Sequence, residues 1–427
     1  DDVLVLIRGG GLWVQYYSEI QYRNEDQYIV RSGTSGGWNL YNESLEDFQR
    51  MIVKGVAEGV PNWDAVGRIM KSYVFSVMTD AMGDIPYSEA LRADSLLQPK
   101  YDTQRDIYTA LFADLAKASQ EIDPAGFGFP TGDIMYRGAM TKWRKFANSL
   151  RLRLAMHLSN ADPVTAQSEA QAAVAAGVFE SNADNAQLLY LASSPDRNPI
   201  YNDARGRDDY GMSKTYVDSL LSWNDPRLPV FAQLNKDTIV ANRTYRGLPN
   251  GLLDGEGDPL FLISRIGAYW RETPNAPMAL LTYSEVLFLE AEAAERGWIA
   301  GDPATLYAAA IRASLEQYGI SGAAINAYLA DARVVYAGGA AGLTQIAYQK
   351  WVSLFMQGME AWTEVRRTGV PALKPGPHAV LSSIPERLPY DDNEAVLNKA
   401  NVDAAVAVQG FSASNDLAKP LWFTGRH

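Results

Sequence analysis

Four tryptophans, Trp38, Trp63, Trp223 and Trp270, fall in loops or near the ends of expected helices, where a ring can face a ligand instead of the core. Sugars offer apolar C–H faces and many hydroxyls. A glycan site therefore needs aromatic platforms beside amide, carboxylate or guanidinium groups, in a mostly preformed concavity. The run Tyr201-Asn202-Asp203-Ala204-Arg205-Gly206-Arg207-Asp208-Asp209-Tyr210 puts such groups on one segment, and Tyr201, Arg205 and Asp208 join the tryptophans as candidate ligand contacts. The competing reading of this run is a salt-bridged loop that seals the scaffold. A second candidate is Asp254-Gly255-Glu256-Gly257-Asp258, where alternate carboxylates on a glycine-rich turn have the oxygen chemistry that calcium prefers. The EF-hand spacing is incomplete, so a structural calcium on Asp254, Glu256 and Asp258 competes with a solvated acidic turn. No other cofactor is expected.

The residues for catalysis are sparse. The histidines are His157, His378 and His427, and none stands at metal-ligand spacing from another. His157 falls at a helix end, where capping is the ordinary role. There is no G-x-S-x-G elbow. Arg8-Gly9-Gly10-Gly11 lacks the strand, lysine and helix of a phosphate loop. Glu285, Glu290, Glu292 and Glu295 invite a glycosidase reading, but their helical spacing favours solvated or structural faces. The chain has no cysteine, which excludes disulfides and thiolate chemistry. A net charge of −12 argues against nucleic acid and against docking on anionic lipid. The early apolar run Val3-Leu4-Val5-Leu6-Ile7 is far shorter than the roughly 20 residues that span a bilayer. The sequence opens at Asp1-Asp2 without an initiator Met, and we expect a mature or truncated form whose targeting segment was removed.

The elements that must position these residues are mainly helices. Ser44 with Asp47 marks a first helix start, and Pro61-Asn62 separates it from a helix over 62–80 that ends near Gly83. Pro86 keeps Ile85 extended. Helices follow at 103–122, 141–158 and 164–176. Further helices are expected at 214–223, introduced by Ser213, and at 278–297, 303–318 and 342–367. Trp143, Trp351 and Trp362 lie on apolar stripes of these helices and belong to the core. Glu285 to Tyr318 reads as helix–turn–helix, with Asp302 as cap, Pro303 at the first position, and Ala291 and Ala294 small enough for close approach. The expectation is a mainly α, single unit over 1–427. Its tetratricopeptide-like scaffold occupies 44–180 and 278–368, with a loop-rich excursion with short hairpins at 181–277 and an irregular tail at 369–427.

Ordered segments of the chain resemble the SusD/RagB family, in its SusD-like branch. The first holds Lys71-Ser72-Tyr73 and Thr79-Asp80-Ala81-Met82-Gly83-Asp84-Ile85-Pro86-Tyr87-Ser88-Glu89-Ala90. The second is Trp143-Arg144-Lys145-Phe146-Ala147-Asn148-Ser149-Leu150-Arg151-Leu152-Arg153-Leu154-Ala155. The third is Tyr283-Ser284-Glu285-Val286-Leu287-Phe288-Leu289-Glu290-Ala291-Glu292-Ala293 followed by Gly297-Trp298. Lys350-Trp351, Glu360-Ala361-Trp362 and Arg366-Arg367-Thr368-Gly369 make a fourth, and Gly206-Arg207-Asp208-Asp209-Tyr210 also fits. The set spans 71 to 369.

The resemblance implies a nutrient-binding lipoprotein, not an enzyme, on the outer face of a Bacteroidetes outer membrane. It implies a SusC-like TonB-dependent transporter as partner and an oligosaccharide or other oligomeric nutrient as ligand. Membrane attachment would come only through an N-terminal lipid anchor, and the cysteine to carry it is not among these residues. Two other functions compete: a helical α/α glycoside hydrolase, which needs two carboxylates about 5–9 Å apart in one cleft, and peptide capture in a helical-repeat groove.

Overall fold

Side-chain caps set the helix starts. Thr103 accepts from the Asp106 N–H to open helix Gln104–Glu121, Asp162 from Thr165 to open Pro163–Ala176, and Asp302 from Thr305 to open Pro303–Glu316. Proline occupies the first position of Pro61–Met82, Pro163–Ala176 and Pro303–Glu316, where a missing N–H costs nothing. Gly59, at φ 69°, ends Glu46–Glu58 in the left-handed conformation, so only Gly59 and Val60 separate that helix from the next. The computed structural model describes residues 9–30, 37–92, 95–129 and 131–426; the apolar run at 3–7, Gly36 and His427 lie outside them.

Consecutive helices pack in series: Glu46–Glu58 on Pro61–Met82, that helix on Gln104–Glu121, then Met140–His157, then Pro163–Ala176. Tyr283–Glu295 and Pro303–Glu316 form a second pair, joined by Gly339–Ser353. Ala291, Tyr307 and Ala310 meet in one buried cluster, as the helix–turn–helix reading requires. Trp143, Trp351 and Trp362 are all buried. Among the described residues no helix is long and apolar enough to cross a membrane.

Several elements differ from the expectation. The first helix is not capped by Ser44; a π-helical turn, Tyr41–Leu45, runs into Glu46–Glu58. Residues 278–281 are a strand instead of the start of a helix. Thr282 accepts from the Glu285 N–H and starts the helix at Tyr283, while Met278–Leu281 pairs antiparallel with Ala186–Leu188. The stretch 342–367 is two helices, Gly339–Ser353 and Gly358–Thr368, broken at Met356 with φ 72°. A Cβ on Gly10 would meet the Gly358 carbonyl oxygen at 2.4 Å, so the N-terminal segment passes through that break. A further helix, Gly322–Leu329, follows the second pair, and the tail holds Asp392–Leu397 and Lys399–Gln409. The strand pairs are not hairpins: Tyr17 pairs with Met212 and Ala186 with Leu281.

The excursion is more helical than its composition suggests, with Pro199–Arg205, Leu228–Phe231 and Ala268–Arg271 beside the expected Lys214–Ser222. It is tied to the core by aromatic rings. Tyr216 stacks on Phe355 at 5.2 Å, and Phe231 stacks on Phe355 at 4.7 Å. A well-anchored excursion of this kind can present loops in a fixed geometry.

Candidate functional site

The run at 197–210 is a short helix and a turn held against the scaffold. Asn198 is buried; its side chain accepts from the Ile200 and Tyr201 N–H groups and donates to the Ala276 carbonyl at 2.8 Å. Pro199 follows at the first helical position. Tyr201 and Arg205 are four apart on this helix and share one face. The Arg205 guanidinium lies 3.5 Å from the Tyr201 ring centroid and that of Arg197 lies 5.7 Å from it. Arg205 also donates to the Arg271 carbonyl at 2.8 Å.

Asp208, at φ 53°, turns its carboxylate inward onto Arg265 at 3.3 Å and onto Arg271. Burial alone would raise its pKa; the bonds from Arg271 and Arg265 outweigh it and hold the carboxyl below its ordinary value. Asp208 therefore anchors the loop, as the salt-bridged reading anticipates. Arg207 pairs with Asp209 at 2.6 Å and covers Tyr22 at 4.8 Å from its ring. Tyr22 is 62% exposed, so much of its ring remains open to solvent. The segment thus carries two cation–ring groups, Arg197 and Arg205 at Tyr201 and Arg207 at Tyr22, and is anchored by Asp208 on Arg265 and Arg271. Tyr22, Arg197, Arg207 and Arg271 were not among the sequence candidates. Arg207 lies within the chosen run and Arg197 four residues before it, so both could have been found there; nothing in the sequence links Tyr22 to it.

The tryptophans do not join this face. Trp270 is 2% exposed, and its ring lies among Phe355, Tyr318 and Phe231 at 5.3–5.8 Å. Its helix instead contributes Arg271. Trp223 stacks on Tyr348 at 4.8 Å. Trp38 packs on Tyr41, Tyr101 and Tyr390. Trp63 donates its Nε1–H to Gly128 at 3.2 Å, and the Lys54 ammonium lies 5.3 Å from its ring.

The acidic turn does not assemble as a ligand set. Asp254 lies 4.0 Å from Arg23, Glu256 3.0 Å from His378, and Asp258 3.2 Å from Arg246, so the three carboxylates turn to three separate side chains. Among the described residues, the group that does converge is His157, Glu360 and Glu364, with ligand atoms within 4.8 Å of one another. It is a buried ion network. His157 places Nδ1 3.0 Å from Asp80 and Nε2 2.9 Å from Glu360. Arg153, Lys350 and Arg367 supply the remaining positive charge. A metal needs an imidazole lone pair, whereas both nitrogens here face carboxylates. His157 is thus not a helix cap. Glu285 and Glu292 are buried in bidentate pairs with Arg153 and Arg367, which removes them from any cleft.

The network predicts a pH dependence. Burial lowers the His157 pKa, but Glu360 and Asp80 outweigh it and push it up to about 10. A group with a raised folded pKa contributes fully below its unfolded value, near 6.5, and loses that contribution as pH rises toward 10. Unfolding free energy should fall across this window. His157→Gln should be less stable at pH 6 and show a flatter slope from there to pH 10. Chemical denaturation at a series of pH values measures both, and parallel slopes for the two proteins would contradict the assignment.

A concavity of about 260 Å³ is lined by Phe48, Met70, Tyr73 and Met359 together with Arg153 and Glu360. Its walls are largely aliphatic, and these two charges are engaged with each other.

Comparison with known proteins bears on the fold. The profile of a SusD-like family described as starch-binding associating with outer membrane matches residues 8–391. The chain belongs to this SusD-like family. Among solved structures, a chitin-binding protein is 31% identical, with 99% of this chain and 96% of that chain covered and a TM-score of 0.88. A chitin-binding SusD homolog from Flavobacterium johnsoniae is 26% identical, with 100% and 95% covered and a TM-score of 0.86. A SusD homolog from Bacteroides fragilis NCTC 9343 is 26% identical, with 100% and 98% covered and a TM-score of 0.87. No curated protein sequence matches. The mainly α, tetratricopeptide-like architecture expected from the sequence is the architecture of these SusD-like structures.

Proposed function

We propose that this SusD-like protein captures an oligosaccharide at the outer face of the outer membrane, held there by a lipid anchor, and delivers it to a SusC-like TonB-dependent transporter. The observation that carries the reading is the segment at 197–210, pinned by Asn198 and Asp208, which holds the guanidinium-backed Tyr201 and places Arg207 over the exposed ring of Tyr22. Aromatic and guanidinium groups on a rigid rim suit a ligand with apolar C–H faces and polar edges. The outer-membrane, starch-binding description of the family and the chitin-binding relatives support a glycan as ligand.

The hydrolase alternative has less in its favour. Of the four helical glutamates, Glu285 and Glu292 are buried and paired, and Glu295 accepts from Tyr336 and from the Gly339 N–H. The test is calorimetric titration of the purified protein with chito- and malto-oligosaccharides, followed by chromatography of the same mixtures. Saturable binding with intact sugar chains is the expected result. Shortened chains would transfer the reading to the hydrolase.

A further inference from the structure

The groups around Tyr201 specify more than a generic sugar platform. With the Arg205 guanidinium 3.5 Å from its centroid, one face of the Tyr201 ring is already covered. The ring thus holds cationic groups in place: Arg205 against it, and Arg197 at 5.7 Å. The pairing of these two arginines differs from that of their neighbours. Arg207 is paired with Asp209, and Arg265 and Arg271 share Asp208. The hydrogen bonds of Arg197 and Arg205 run to backbone carbonyls: Arg197 to Ala192 at 3.0 Å, and Arg205 to Tyr201 at 3.3 Å and Arg271 at 2.8 Å. Neither forms a salt bridge among the described residues. Glu272, beside Arg205 and Arg271 in an open surface depression, accepts from Gln233 at 2.8 Å.

Two arginines with no salt-bridge partner among the described residues, held at one ring, leave guanidinium donors that the protein's own carboxylates do not engage. A guanidinium offers a planar fork of donors that matches carboxylate and sulfate oxygens. We propose that the 197–205 segment recognises the negatively charged group of an acidic sugar, a uronate carboxylate or a sulfate ester, within the captured oligosaccharide. This rests on the glycan-capture reading above and narrows its ligand class.

The experiment measures affinity for a panel of matched length: neutral chito- and malto-oligosaccharides, oligogalacturonates and sulfated galactan oligosaccharides. It uses the wild type, Arg197→Gln and Arg205→Gln, each checked for an unchanged melting temperature. The expected result is tighter binding of an acidic oligosaccharide than of any neutral one, falling as salt rises. Each substitution should weaken it roughly tenfold, the value of one charge-assisted hydrogen bond. The uronate and sulfate arms show which anion is read. If neutral chains bind as tightly and neither substitution changes affinity, the acidic-sugar inference is overturned and glycan capture stands. If no member of the panel binds, both fall.

Discussion

Arg367→Met should cost about 3–5 kcal/mol of stability, as expected when one partner is removed from a buried ion pair. Arg367 reaches Glu292 through Nη1 at 2.7 Å and Nη2 at 2.6 Å. It reaches Glu364 through Nε at 2.9 Å and Nη2 at 2.7 Å, and Ser159 through Nη1 at 2.7 Å. Glu364 is shared with Lys350 at 2.5 Å. Methionine fills most of the volume but leaves two buried carboxylates short of positive charge. The penalty is the unpaired charge, not the lost attraction, so Arg367→Met with Glu292→Leu should recover part of the loss. Urea unfolding of the single and double variants measures this. A single-variant loss below about 1 kcal/mol, the worth of an exposed pair, would contradict the account.

Trp362→Ala should have an effect of similar size, about 3–5 kcal/mol, for a different reason. Trp362 is fully buried, meets Trp13 edge-on at 4.8 Å, and lies under the Arg366 guanidinium at 3.5 Å. Its Nε1–H donates to the Pro385 carbonyl at 2.7 Å. Truncation leaves a cavity at the meeting of the N-terminal segment, the Gly358–Thr368 helix and the tail, and strips a buried carbonyl of its donor. Thermal and urea unfolding should both report the loss. A melting temperature equal to the wild type would show that Trp362 does not join these segments.

The helices were largely legible because their signals are local. Asp302 with Pro303, and Ser213, mark starts that the structure keeps. The misreadings arose where distant partners decide. Trp351, Phe355, Gly358 and Trp362 keep a continuous helical stripe, and only the approach of Gly10 to Gly358 explains the break between them. Met278–Leu281 is apolar enough for a helix, but it pairs with a strand about ninety residues earlier. In the candidate site, the composition of 201–210 was readable and the roles of its residues were not. Whether Asp208 binds ligand or Arg271 depends on a helix sixty residues away. Trp270 falls outside the expected helices, yet its ring is surrounded by aromatic residues from distant segments. A loop tryptophan is exposed or buried by what folds over it, and local sequence holds no record of that.

Under the proposed function, the scaffold helices hold the fold while the 197–210 segment, with Tyr201 and the Arg207-covered Tyr22, binds the glycan. The most direct test is oligosaccharide affinity and melting temperature, measured together for the wild type and Tyr22→Ala. Tyr22 is exposed and contributes little to the core, so the melting temperature should stay the same. Affinity should fall by about 1–3 kcal/mol, by analogy with the loss of an aromatic ring that stacks on a nucleobase. Unchanged affinity with a lowered melting temperature would contradict the claim and place the binding surface elsewhere on the protein.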